Sequence, residues 1–242
     1  MTNLKIRKCV AFSFAILLIV CFSASEVPAQ LSSGQAASGL KEALTTGTTN
    51  AIGLIGRPGG YFSNPAIKIG FPKSLRLVET GLRGLGYGPQ IDGFIRSMNS
   101  AAEAAAPKAK PIFIHAIENM SIGDAQRIVT RGGHSATDYF QRKTTPELTE
   151  AFTPVVKQEM AKYAVTRQYD QLLGHYQTGA IGSFGSLLGG GAEKPSLDIN
   201  SYVVRKALDG LFYEIGQQEE KIRTNPAAQV TPLLKSLFGG GH

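Results

Sequence analysis

Between Ile91 and Phe140 the apolar residues recur every three or four positions, and that spacing limits what the chain can build. Ile91, Phe94, Ile95, Met98, Ala102 and Ala105 fall on one stripe of a helix. A second helical run follows Pro111, a third follows Ser121 and a fourth follows His134. Pro107 and Pro111 bracket a break, because an internal proline removes a backbone donor and clashes with the preceding turn. Ser121-Ile122-Gly123-Asp124 reads as an N-cap, with Asp124 in the electropositive first turn. Gly132-Gly133 stops that helix, and Ser135-Ala136-Thr137-Asp138 repeats the capping pattern. Four consecutive helices form a packing unit that the remaining segments can only cover. The expected fold is all-α, a single compact multi-helix domain.

The flanking segments supply the cover. Leu40, Leu44, Ile52 and Ile55 make a loose apolar stripe, weakened by Gly47 and the nearby threonines. From Gly56 to Pro72, turn signals at Pro58-Gly59-Gly60 and Asn64-Pro65 precede an alternation of Ile67, Ile69 and Phe71 with Lys68 and Gly70. One isolated strand is not a sheet, so residues 56–72 are expected to form a short extended strap or half of a small hairpin. A helix over about Pro72 to Leu85 carries Leu75, Leu77, Val78, Leu82 and Leu85 and ends at Gly86-Tyr87-Gly88-Pro89. Thr145-Pro146-Glu147 starts another, which Thr153-Pro154 restarts or kinks before it runs on to about Tyr176. The longest helix spans Ile199 to Arg223, with i,i+4 ion pairs predicted for Arg205/Asp209 and Glu219/Arg223. Leu233, Leu234, Leu237 and Phe238 dock a C-terminal helix, and 240–242 form a flexible tail.

The first 29 residues read as a targeting segment rather than part of this fold. Lys5, Arg7 and Lys8 precede an apolar run from Cys9 to Phe22, and Val27-Pro28-Ala29 resembles a signal-peptidase site. The run falls short of the roughly 20 residues a spanning helix needs. Lipoprotein processing at Cys21 wants a small residue before the cysteine, and Val20 is a poor fit. The chain is therefore expected to be cleaved near Ala29 and to be periplasmic or otherwise extracytoplasmic. Its domain would span residues 30–239. Cleavage removes both cysteines, so no disulfide, thiolate nucleophile or cysteine metal ligand remains. Removing three of 25 basic and one of 18 acidic residues leaves 22 against 17, a formal +5. That excess suits an anionic surface without demanding one. No basic-aromatic platform points to nucleic acid.

The polar residues offer candidates but no reaction-defining spacing. His134, between the glycines and the second cap, is the candidate acid-base group, with Asp124, Glu103 and Tyr139 as candidate catalytic companions. Capping is the simpler role for Asp124, and a solvated charge the simpler role for Glu103. Asn99 and Thr137 are candidate ligand-binding residues, although an Asn at the edge of an apolar stripe commonly satisfies a neighbouring backbone. His115 and Glu118, three apart, are too few for a metal site. No metal or other cofactor is expected. Glycines 84, 86 and 88 lack the GxGxxG spacing of a phosphate loop.

The Gly-rich loop at 179–191 carries Ile181, Phe184, Leu187 and Leu188, an unusual load for a solvated linker. It is expected to fold back on the core. A flap over an apolar ligand held by Phe184 and Leu187, or a membrane contact through all four, are the sharper alternatives.

The blocks MNSAAEAAAPKA, AIENMSIGDA, GGHSATDYFQ, LDGLFYEIGQQEEKIRTNPAA and LLKSLFG resemble a family of exported bacterial proteins, domain-of-unknown-function family 4197. The resemblance runs from about Leu40 to Gly239 and implies an all-helical domain behind a signal peptide. It brings no activity, substrate or catalytic residues. The expected role is a non-catalytic binding or accessory module of the cell envelope, meeting an unidentified envelope protein or a small ligand. The alternatives are a lipid or apolar-ligand carrier and a hydrolase of unfamiliar type built on His134 and its acidic neighbours.

Overall fold

The computed structural model describes residues 33–162 and 198–224. Seven α-helices occur among them: α1 (Ser33–Ile55), α2 (Arg76–Gly84), α3 (Gly88–Ala105), α4 (Ala109–Glu118), α5 (Ile122–Arg131), α6 (Ser135–Lys162) and α7 (Ile199–Thr224). Short 3₁₀ turns at Lys73–Leu75 and Ala106–Lys108 lead into α2 and α4. No strand forms among the described residues, and the fold is all-α. The expected leader, the Gly-rich segment with Ile181, Phe184, Leu187 and Leu188, and the expected C-terminal helix fall on residues outside the described ones.

The apolar stripes meet in one core. Phe94 of α3, Phe113 of α4, and Phe140 and Phe152 of α6 are fully buried. The Phe113 ring stands edge-on to Phe140 at 5.1 Å and to Phe212 of α7 at 6.3 Å, an arrangement favoured by the ring quadrupoles. α6 and α7 pack along much of their length, with α1 and α3 against them. The stripe of α1 holds over 23 residues, with Leu40, Leu44, Ile52 and Ile55 all buried. Its threonines do not interrupt it: Thr48 turns its hydroxyl back onto the Leu44 carbonyl at 2.7 Å. At Gly47 a Cβ would lie 3.1 Å from Ile222 Cδ1, so the glycine lets α7 approach.

α6 corrects the predicted break at Pro146 and Pro154. Both prolines lie inside one helix of 28 residues. Threonine hydroxyls at 144, 145, 149 and 153 each donate to the carbonyl four residues back. Leu148, Phe152, Val156 and Met160 meanwhile keep the buried stripe continuous across both rings. Tertiary packing thus outweighs the proline penalty of roughly 3 kcal/mol per site.

Residues 56–72 form a strap with no hairpin partner among the described residues. Ile67, Ile69 and Phe71 are buried beneath it, as their alternation predicts. Asn99 on α3 stands in for a neighbouring strand. Its Oδ1 accepts the Ile69 N–H at 2.9 Å and its Nδ2 donates to the Ile69 carbonyl at 2.8 Å. Gly60 is required where the strap leaves α1, because a Cβ there would lie 2.4 Å from the Ile55 carbonyl oxygen. On α2 the predicted apolar face splits. Val78 and Leu82 are buried, as is Leu75 just before the helix, whereas Leu77 is 84% exposed and Leu85 also faces solvent.

Candidate functional site

Asn99 and three carboxylates are buried in this core, and each is committed to the protein's own backbone or side chains. Asn99 holds the strap, the scaffold role expected of it. Glu103 is not the solvated charge predicted. It is buried and accepts backbone N–H groups from Gly59 at 3.1 Å, Tyr61 at 3.0 Å and Phe62 at 3.2 Å. The reason is tertiary: Ala101, Ala102 and Ala105 are all buried, so α3 is covered on several faces, the face toward the strap included. Glu214 accepts from Asn64 Nδ2 at 2.7 Å, again tying the strap to α7. The Tyr61 hydroxyl donates to the Ala207 carbonyl at 2.7 Å, and burial, then Glu214 and Glu103, push its pKa well up.

The third carboxylate, Glu219, caps α6 from across the fold. It accepts the N–H groups of Ala136 and Thr137 at 2.9 Å each and the Thr137 hydroxyl at 2.7 Å. Arg223 supplies the counter-charge at 2.8 Å, the predicted i,i+4 pair, and also donates to Ser135 Oγ at 3.1 Å. Ser135 is therefore not the side-chain cap predicted; its hydroxyl donates to the Ile128 carbonyl at 2.9 Å. A glutamate 83 residues away does the work of a local serine. The one trace of this in the sequence is an acidic residue flanking the apolar stripe of the last long helix.

Where α5 turns into α6, a cleft of about 460 Å³ brings together three of the four candidate catalytic residues: Asp124, His134 and Tyr139. Glu103 does not line it. The Ser121 hydroxyl donates to Asp124 Oδ2 at 2.7 Å, and the Asp124 N–H returns to Ser121 Oγ at 3.0 Å, the predicted cap. That hydroxyl, and then Arg127, hold the Asp124 carboxyl below its ordinary range. Tyr139 is buried and donates to the Ala116 carbonyl at 3.3 Å; burial, then Asp124, raise its pKa. His134 is exposed, with its ring over Gly216 of α7, where a Cβ would lie 3.3 Å from Nδ1. It makes no hydrogen bond to Asp124, Asp138 or Tyr139 among the described residues. Thr137 is taken up by Glu219.

The rest of the cleft is basic. Arg127, Arg131, Arg142 and Lys143 line it against Asp124 and Asp138, and Asp124 is already paired with Arg127. Arg131, Arg142 and Lys143 have no ion pair among the described residues. Such an arrangement can seat a negatively charged group.

A second, larger groove of about 770 Å³ runs between the strap and α7. Lys68, Lys73, Arg76, Arg205 and Lys206 line it, with Asp209 the one acid among the lining residues. Asp209 pairs with Lys206 at 2.7 Å rather than with Arg205 as predicted. The Arg205 guanidinium instead lies 5.8 Å from the Tyr202 ring centre, a cation–π contact. Tyr202 donates to the Gly70 carbonyl at 3.0 Å and so holds the groove's floor. Among the described residues no three His, Cys, Asp or Glu side chains come close enough to share a metal ion. The His115 ring faces Asn119 Nδ2 at 3.2 Å.

Fold and clefts define a helical domain with cation-lined depressions and three carboxylates tied into the scaffold. The chain belongs to the family described as protein of unknown function (DUF4197), whose model matches residues 30–239. Comparisons with curated proteins and with solved structures return no match.

Proposed function

We propose that the protein is a non-catalytic binding module of the cell envelope, exported by its leader, and that its α5–α6 cleft receives a small ligand through an anionic group. The observation behind this is how the cleft's side chains are spent. Asp124 is held in a cap and an ion pair, and the Tyr139 hydroxyl is on a carbonyl. Three cations meanwhile face the cleft with no ion pair among the described residues. An acid-base reaction needs a base within hydrogen-bond reach of its partner. His134 lines the cleft but makes no hydrogen bond to Asp124, Asp138 or Tyr139 among the described residues, and Glu103, Asp124 and Tyr139 are each engaged elsewhere. Binding is therefore preferred to the hydrolase alternative, in which His134 would have to act without its acidic companions. The carrier alternative turned on Phe184 and Leu187, outside the described residues; the apolar crevice between α1 and α7 holds only about 10 Å³.

Isothermal titration with inorganic pyrophosphate and with citrate tests the cleft. Both anions should bind, and Arg131→Ala/Arg142→Ala should weaken binding about a hundredfold, roughly tenfold for each guanidinium removed from the anion. Equal binding by the variant, or no binding of either anion, refutes the assignment. The mass of the protein recovered from an extracytoplasmic fraction should begin at Gln30; an intact amino terminus there, or retention in the cytoplasm, refutes export.

A further inference from the structure

The strap groove and α2 together make a face unlike the rest of the surface. Five cations line the groove, and its one carboxylate, Asp209, is already neutralised by Lys206. Lys73 and Arg76 carry no ion pair among the described residues. Immediately beside them Leu77 stands 84% exposed, the most exposed large apolar side chain described. Val78 and Leu82 are the side chains by which α2 enters the core, and Leu77 is not among them. Bulky apolar side chains standing out beside a ring of Lys and Arg are what an interfacial contact with lipid uses: the apolar tip enters the headgroup boundary while the cations meet the phosphates. No helix among the described residues is long and apolar enough to cross a membrane.

We infer that the strap–α2 face, with Lys68, Lys73, Arg76, Arg205 and Lys206 lining its groove and the exposed Leu77 next to Arg76 along α2, docks on an anionic phospholipid surface. The inference rests on the envelope reading only in placing the protein beside a membrane; the face and the cleft are separate. Charge selects the occupant: five cations against a single carboxylate, itself paired with Lys206, complement a sheet of anionic headgroups, and Leu77 offers an apolar side chain at the groove's α2 end.

The described residues all fall within one compact unit, so the chain from Gln30 is the form to test, free of an apolar leader that would itself bind lipid. Co-sedimentation compares vesicles of phosphatidylcholine alone with vesicles containing about 30% phosphatidylglycerol, an anionic fraction that attracts basic segments. The protein should sediment with the anionic vesicles and not the neutral ones. Binding should collapse near 1 M salt, where the screening length falls to about 3 Å. Lys73→Ala/Arg76→Ala should weaken it about thirtyfold, and Leu77→Ser about tenfold. All three residues are exposed, so unchanged far-ultraviolet circular dichroism and thermal unfolding will show that the variants fold. The Lys73→Ala/Arg76→Ala protein should still bind pyrophosphate in the α5–α6 cleft, which keeps failure here distinct from failure of the cleft assignment. Equal binding to neutral vesicles overturns the inference. So does wild-type affinity in the Lys73→Ala/Arg76→Ala variant, competition by millimolar glycerol phosphate (a free-anion site), or concentration-dependent dimerisation that Leu77→Ser abolishes.

Discussion

Glu219 holds Thr137 twice, through its backbone N–H at 2.9 Å and its hydroxyl at 2.7 Å, and so closes the start of α6 with a side chain from α7. A helix start leaves N–H groups without intrahelical partners, and here a buried carboxylate answers them with Arg223 as counter-ion. Deleting the carboxylate leaves both N–H groups without their acceptor and removes the counter-charge of Arg223, which keeps its bonds to Ser135 Oγ and the Ile128 carbonyl. Glu219→Ala should cost about 3–5 kcal/mol, as for other broken buried pairs, measured by urea unfolding. Ser135→Ala should cost far less, because Ser135 is not the cap. A loss under about 1 kcal/mol, the size of an exposed ion pair, in Glu219→Ala would show that the pair behaves like an exposed one.

Glu103 anchors the strap in the same manner. Glu103→Ala leaves three backbone donors of the strap without their acceptor, a loss on the order of 3 kcal/mol when such groups stay dry. Hydrogen exchange at Gly59, Tyr61 and Phe62 should accelerate well beyond exchange in α6. Uniform acceleration across both would show that the strap unfolds only with the whole domain.

Two helical glycines on α7 should respond oppositely to alanine. At Gly210 a Cβ would sit 2.6 Å from Tyr61 Cε1 and 3.1 Å from Ile67 Cβ, both fixed in the core. Gly210→Ala should destabilise by about 1–3 kcal/mol through overpacking. At Gly216 the nearest atom belongs to the exposed His134 ring, which can swing away. Gly216→Ala should be neutral or stabilise by up to about 1 kcal/mol from helix propensity. Thermal midpoints of the two variants check the pair.

The buried Tyr61 phenol makes the fold alkali-sensitive. Burial and two nearby carboxylates raise its pKa in the folded state, while in the unfolded chain it ionises near 10. The folded state then holds a proton that the unfolded state releases. This contribution is intact below about pH 10 and is lost progressively as pH rises from there toward the folded-state value. Tyr61→Phe should cost about 1 kcal/mol at pH 7 for the lost hydrogen bond to Ala207, yet show a shallower fall in stability above pH 10. A parallel fall in both proteins would assign the alkaline loss to other groups.

Much of this architecture is legible in the chain. The helical stripes from Ile91 to Phe140, the Ser121–Asp124 cap and the scaffold role of Asn99 all follow from periodicity and local chemistry. The departures share one cause. The prolines of α6 look like breaks because local propensity cannot see Leu148, Phe152, Val156 and Met160 held by neighbouring helices. Glu103 looks solvated because its three donors lie more than 40 residues away. Leu77 looks like core because an apolar residue in a helix carries no mark of which side its neighbours occupy. The cleft's three gathered candidates can be named singly from the sequence, but their separate engagements cannot.

The amino-acid order alone settled that the chain builds helices, where most of them begin, and which faces are oily, since those follow from side-chain spacing and backbone capping within a few residues. Which acids become internal caps, which leucine is left in water and which cations share a groove were decided only when distant segments met. Burial and hydrogen bonding across 40 to 150 residues are properties of the packed molecule, and no local pattern encodes them.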